Sequence, residues 1–212
     1  MRPLFTVHAG EFVVGNEIER RFPKANLWLP AKDTGVDLLV TNAVRSRSVT
    51  LQVKYSRDFT DLHSGLKAIG WFKLKRTRIL KSVADFWIFV LWSPLSPTVR
   101  QHNYIIIPPQ LLLERLTAIP GHGDDLINTY FAVAPDGGCW EARGLKKDDE
   151  RAIVDGRYRN EQRDFRDHLN AWRLLEARLT ATNPDHQGRG VPPPTRTRPS
   201  PALPTRSAAA PS

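Results

Sequence analysis

Cysteine and methionine are nearly missing from this chain of 212 residues, with one of each. A lone thiol, Cys139, excludes an intramolecular disulfide and any zinc site assembled from thiolates. No apolar run approaches the length of a membrane span, and the N-terminus lacks the charged-then-apolar pattern of a signal peptide. A cytoplasmic protein with no membrane partner is therefore expected. Acidic residues are also scarce in one place: none lies between Asp61 and Asp85. Large apolar residues are scarce in another, Asn183 to Ser212, which holds eight of the seventeen prolines. Such a stretch buries too little apolar surface to offset its ordering entropy, so a disordered Pro/Arg-rich tail is expected over 183–212.

The formal net charge is +9, of which the tail carries +3 through Arg189, Arg196, Arg198 and Arg206 against Asp185. The remaining body is still basic, which suits a polyanionic partner, although moderately basic proteins without one are common.

What remains reads as one α/β domain over 1–182, with no internal repeat. Helical spacing over 9–22 places Val14, Ile18 and Phe22 on one stripe, and Pro23 closes the helix. Asn26–Pro30 is a short strand candidate and Lys32–Gly35 a turn. Val36, Leu38 and Val40 alternate along a strand over 36–42. Over 47–55, Val49, Leu51 and Val53 point one way while Thr50, Gln52 and Lys54 point the other. Phe86–Trp92, Tyr104–Ile107 and Thr129–Val133 are further strand candidates. Pro108 and Pro109 start a helix through Leu111, Leu112, Leu113 and Leu116. Phe165, Leu169, Trp172 and Leu179 mark a final amphipathic helix. The expected fold is a mixed central sheet flanked by helices, with a C-terminal helical elaboration.

Three positions break the local pattern. Glu11 falls within the apolar stripe of the first helix, where a carboxylate costs several kcal/mol unless paired or metal-bound; equally, an acid in a first helical turn is favoured by the dipole. Asp37 interrupts a Val-x-Leu-x-Val strand, either as a ligand or as a solvent-facing strand end. Gln52 and Lys54 share one face of a strand, which alone is what any solvated face looks like. Short linkage through Asn42–Arg47 makes the two strands a hairpin that could bring Asp37 beside Gln52 and Lys54, with Glu11 carried to the same point by its helix.

Gly10-Glu11, Gly35-Val36-Asp37-Leu38 and Gln52-Val53-Lys54, in this order, resemble the PD-(D/E)xK (restriction-endonuclease-like) nuclease superfamily, and within it a bacterial Gly-Val-Asp / Gln-Val-Lys branch. The resemblance covers about residues 8–56 and extends loosely to 116. It implies a restriction-endonuclease-like core that hydrolyses phosphodiester bonds in DNA, in repair, restriction or genome defence. It also implies Mg²⁺ or Mn²⁺ held by Asp37, Glu11, the Gln52 amide oxygen and the Val53 carbonyl, with Lys54 orienting water or stabilising charge at phosphorus. Gln52 departs from the more usual acid and brings less charge to hold a cation. Asp33 is a helper in an outer shell or, by preference, a turn former. Relatives of this type often pair to cut two strands, so a homodimer is one state the resemblance allows.

In the acid-free stretch, Lys67, Trp71, Lys73, Lys75, Arg76, Arg78 and Lys81 are candidates for nucleic-acid binding, with cations on phosphates and the aromatic ring on a base. The competing reading is an ordinary helix anchored by Phe72, Leu74, Ile79 and Leu80 whose solvated face is basic. Elsewhere, Cys139 reads as a packed thiol, Gly121–Asp125 as a surface turn, and Arg157, Tyr158, Arg159 and Arg163 as a solvated face. The scattered histidines form no ligand pattern, and the six tryptophans read mostly as core. Two rivals to an enzyme stand: a nucleic-acid-binding module that keeps the fold without catalysis, and an interaction domain with an accidental motif, which would scatter Glu11, Asp37 and Lys54.

Overall fold

A computed structural model describes residues 9–32, 34–56, 65–94, 100–121 and 125–181. The tail expected over 183–212, Asp33, Asp61 and most of the Gly121–Asp125 turn lie outside the described residues. Helix α1 (Ala9–Arg21) is followed by an antiparallel meander of β1 (Asn26–Trp28), β2 (Leu38–Thr41) and β3 (Ser48–Tyr55). β5 (Phe86–Pro94) then lies parallel to β3, and β6 (Arg100–Ile107) antiparallel to β5. The five strands form one mixed sheet in the order β1-β2-β3-β5-β6. The fold is α/β with a mixed central sheet flanked by helices, as the alternation implied.

That sheet is covered on both faces. On one, α1 and α5 (Arg173–Thr180) bury Val14, Ile18 and Leu175 against Val40, Val49, Leu51, Ile88 and Ile106. On the other, Trp87, Phe89, Leu91, Ile105 and Ile107 meet a second sheet and Leu112 and Leu116 of α3 (Pro109–Ala118). β5 is buried from Phe86 through Leu91, which explains its unbroken apolar sequence.

The second sheet was not foreseen. It is antiparallel, in the order β4-β7-β8, from β4 (Ala68–Lys75), β7 (Leu126–Val133) and β8 (Cys139–Glu141). β4 falls in the basic stretch for which a helix was the ordinary alternative. Its burial alternates instead: Ala68, Gly70, Phe72 and Leu74 face the core, while Trp71, Lys73 and Lys75 are exposed. Only Arg76–Leu80 is helical there (α2). A further unforeseen helix, α4 (Lys147–Val154), covers a small cluster of Ala134, Trp140, Ile153 and Tyr158.

The expected final helix is broken. Two 3₁₀ turns, Glu161–Arg163 and Arg166–His168, precede α5. Between them and α5, Leu169 bridges to Ile105, the Asn170 N–H donates to the Tyr104 carbonyl, and Asn170 Oδ1 accepts from the Tyr104 N–H. Pairing with the edge of β6, with Asn170 at φ +50°, overrides the helical periodicity.

Two more expectations change. Trp28 and Trp71 are 46% and 40% exposed, so the tryptophans are not uniformly core, although Trp87, Trp140 and Trp172 are. Arg163 and Tyr158 do not belong to a solvated face. Arg163 Nη1 lies 2.6 Å from Oε2 of Glu141, which is fully buried on β8. The same carboxylate accepts from Thr129 Oγ1 at 3.1 Å and from the N–H groups of Tyr130 and Arg143 at 3.3 Å. Burial pushes the Glu141 carboxyl above its ordinary value, against the pull of Arg163 and these donors. Cys139 is a buried free thiol, as expected.

Replacing Glu141 with Ala strands the Arg163 cation and the Thr129 hydroxyl, so Glu141→Ala is expected to lower stability by about 3–5 kcal/mol. A urea unfolding midpoint checks this, and a loss under about 1 kcal/mol would contradict it. His168 gives a pH prediction. Burial, together with the nearby Arg115 charge, holds its imidazole below the ordinary value, and Nδ1 sits 3.2 Å from the Ile106 carbonyl. The fold therefore prefers the neutral ring: this contribution is complete above about pH 6.5 and is lost as pH falls toward the depressed folded value. Stability measured from about pH 7 to about pH 5 should fall more steeply in the native protein than in His168→Gln.

Candidate functional site

β2 and β3 pair in a register whose last pair sets Leu38 opposite Leu51, with Asp37 just beyond it. The Asp37 N–H donates to the Leu51 carbonyl at 2.8 Å, the last backbone bond of this ladder on the Asp37 side. Beyond it the Val53 N–H donates to Asp37 Oδ2 at 2.6 Å, and Gln52 Nε2 donates to the same oxygen. The carboxylate thus takes the place that a carbonyl of a longer β2 would have filled. This is why the strand begins at Leu38 and not at Val36.

Because a carboxylate only accepts, Gln52 must turn its nitrogen to Asp37, and its Oε1 is then the atom left for a ligand. Lys54, two residues on, shares this face of the sheet, with Nζ 5.4 Å from the Trp87 ring centre in a cation–π contact. The same face is anchored further along by Asp85, whose Oδ2 accepts from Thr50 N and Oγ1, both at 2.8 Å. Neither Trp87 nor Asp85 was singled out from sequence. Their only signal was position: each lies on β5 or just before it, beside the face bearing Thr50, Gln52 and Lys54.

The helix that carries Glu11 packs on the other face of the sheet. A Cβ on Gly10 would stand 2.7 Å from Tyr55 Cβ and 3.2 Å from Val53 Cγ1, so the first turn of α1 is seated directly on the end of β3. Val53 belongs to the α1/α5 face, whereas Gln52 and Lys54 point to the opposite face. Glu11 is half-buried in that first turn. That turn sits at the same end of β3 as the Asp37–Gln52 pair. Asp37 and Gln52 thus stand together and Lys54 shares the face of Gln52, while the helix that carries Glu11 packs on the opposite face of the sheet.

Among the described residues, no three His, Cys, Asp or Glu side chains form a group that could hold a metal ion. The oxygens at the β2–β3 junction are one carboxylate, one side-chain amide and a backbone carbonyl. All are hard donors that fit a divalent ion keeping several of its waters, and they supply little charge.

Of the basic residues, Lys73, Lys75 and Arg78 join Lys54 around Trp87 and Leu126 in a well of about 240 Å³ with no acid among its described lining residues. Lys67 sits at the far end of β4, its N–H bonded to the Val133 carbonyl. Arg76 donates to Thr117 Oγ1 of α3 at 2.6 Å, and Lys81 is exposed at the end of α2. Trp71 stacks on Tyr130 across the second sheet, with centroids 6.1 Å apart and planes 12° from parallel. Tyr130 is a residue that sequence reasoning passed over. No helix among the described residues is long and apolar enough to cross a membrane. No protein-family model, curated protein or solved structure matches the chain.

The seating of α1 can be tested through Gly10. Gly10→Ala forces its methyl against the Tyr55 and Val53 side chains, and is expected to lower stability by about 1–3 kcal/mol despite the better helix propensity of Ala. A chemical denaturation curve decides it; a gain in stability would show that the first turn is not held on β3.

Proposed function

We propose that the protein is a metal-dependent nuclease with a restriction-endonuclease-like core of the PD-(D/E)xK type, hydrolysing phosphodiester bonds in DNA. The observation that carries this reading is the direct pairing of Asp37 with Gln52 at the β2–β3 junction, with Lys54 on the Gln52 face beside a well lined by Lys73, Lys75 and Arg78. Asp37, Gln52 through Oε1 and the Val53 carbonyl would hold Mg²⁺ or Mn²⁺, with Glu11 joining directly or through water. When bound, the ion supplies charge neutralisation at the phosphate and a water of lowered pKa.

The chain's own residues do the rest. The two donors on Asp37 Oδ2 fix the carboxylate, so its free oxygen is preorganised toward the junction. Lys54, held over Trp87, places a compact cation where charge grows on the phosphoryl oxygens. Lys73, Lys75 and Arg78 continue that positive surface and bind neighbouring phosphates. A second reading, a non-catalytic DNA-binding module, is favoured by the neutral Gln52 and by the lack of a three-acid group among the described residues.

The test is a cleavage assay on plasmid and labelled oligonucleotides in Mg²⁺, Mn²⁺ or EDTA. Cutting should require the metal, and Asp37→Ala and Lys54→Ala should each lose about a hundredfold or more. Cleavage undiminished in Asp37→Ala would overturn the assignment. DNA binding with no cutting in any metal would favour the non-catalytic module.

A further inference from the structure

The exposed face of the second sheet carries aromatic rings and cations in one line. Along β4, Trp71, Lys73 and Lys75 occupy alternate positions of the outward face. Same-face neighbours on a strand are spaced by about 6.7 Å. Trp71 leans on Tyr130 of β7 in a near-parallel stack and is nonetheless 40% exposed. Lys73 and Lys75 then lead into the well shared with Arg78 and Lys54. The line starts at an aromatic platform and ends at Lys54, which shares a strand face with Gln52.

An exposed, sheet-mounted aromatic stack followed by cations has a specific partner chemistry. Bases in a duplex are enclosed between their neighbours, and their flat faces are unavailable. Unpaired bases offer those faces to an aromatic ring, while the phosphates of the same strand seek the cations. The spacing along β4 also exceeds the rise of about 3.4 Å per nucleotide in a stacked duplex, and suits a strand drawn out along the sheet.

We infer that the Trp71–Tyr130 stack and the Lys73–Lys75–Arg78–Lys54 well form a binding track for single-stranded DNA, with a base on Trp71 and the following phosphates on the cations. This rests on the nuclease reading only in taking the end of the track as the reaction centre; the binding itself needs no metal.

The experiment uses the full chain in EDTA, where no metal-dependent cutting occurs, and measures fluorescence anisotropy of labelled oligo-dT and of a duplex of equal length at one salt concentration. The native protein should bind oligo-dT at least tenfold tighter than duplex. Trp71→Ala should weaken oligo-dT binding by roughly five- to hundredfold, and Trp71→Phe should retain most of it. Lys73→Glu, at an exposed position, should weaken it in a salt-dependent way. Equal affinity for duplex and single strand, or unaltered oligo-dT binding in Trp71→Ala, would overturn the inference. Tight single-strand binding without metal-dependent cutting would leave this inference standing while the nuclease assignment fell. Metal-dependent cutting of duplex without single-strand preference would do the reverse.

Discussion

The hydrogen bonds that close the β2–β3 ladder at Asp37 hold together both the fold and the candidate chemistry. Antiparallel pairing needs a partner for the Val53 N–H, and a side-chain carboxylate supplies it where the backbone of β2 has already turned away. The same oxygen takes the Gln52 amide. One group therefore ends a strand, satisfies a donor at a sheet margin and orients the side chain beside it. β3 passes this order on. Its odd residues seat α1 through Gly10, and its even residues present Thr50 to Asp85, Gln52 to Asp37 and Lys54 to Trp87.

The second sheet gives this margin its electrostatic character. β4 has a buried apolar face and an outward face of aromatic and basic residues, so Lys73 and Lys75, with Arg78, gather around Lys54 of β3. A helix over the same residues would have scattered them around its circumference. Strand geometry instead sets Lys73 and Lys75 on one side and beside Lys54. The buried Glu141–Arg163 pair ties the third strand of that sheet to the 3₁₀ turns that follow, and so to the path leading into α5.

Much of the central sheet was legible in the sequence because its signals are local. Period-two alternation marked β3, an unbroken apolar run marked the doubly buried β5, and proline at the start marked α3. The pairing of Asp37 with Gln52 was legible as well, since a short link between two alternating strands leaves few registers. What was hidden depended on contacts distant in sequence. Leu169 and Asn170 follow a helical pattern but pair with β6, and nothing local announces that edge. Arg163 looked like a surface charge because its partner, Glu141, lies on a three-residue strand without a readable period. Glu11 was expected over the same point as Asp37. Its helix packs on the opposite face, since Gly10 is seated on Val53 and Tyr55 while Gln52 and Lys54 project the other way.

Mn²⁺ binding probes the proposed divalent-cation site at the Asp37–Gln52 junction without recourse to cleavage. Titration of the protein with Mn²⁺, following the free ion by electron paramagnetic resonance, should show one weak site in the native chain. That site should disappear in Asp37→Ala and tighten in Gln52→Glu, which restores a second negative ligand. Equal Mn²⁺ binding by all three proteins, or none by Gln52→Glu, would show that the junction holds no cation.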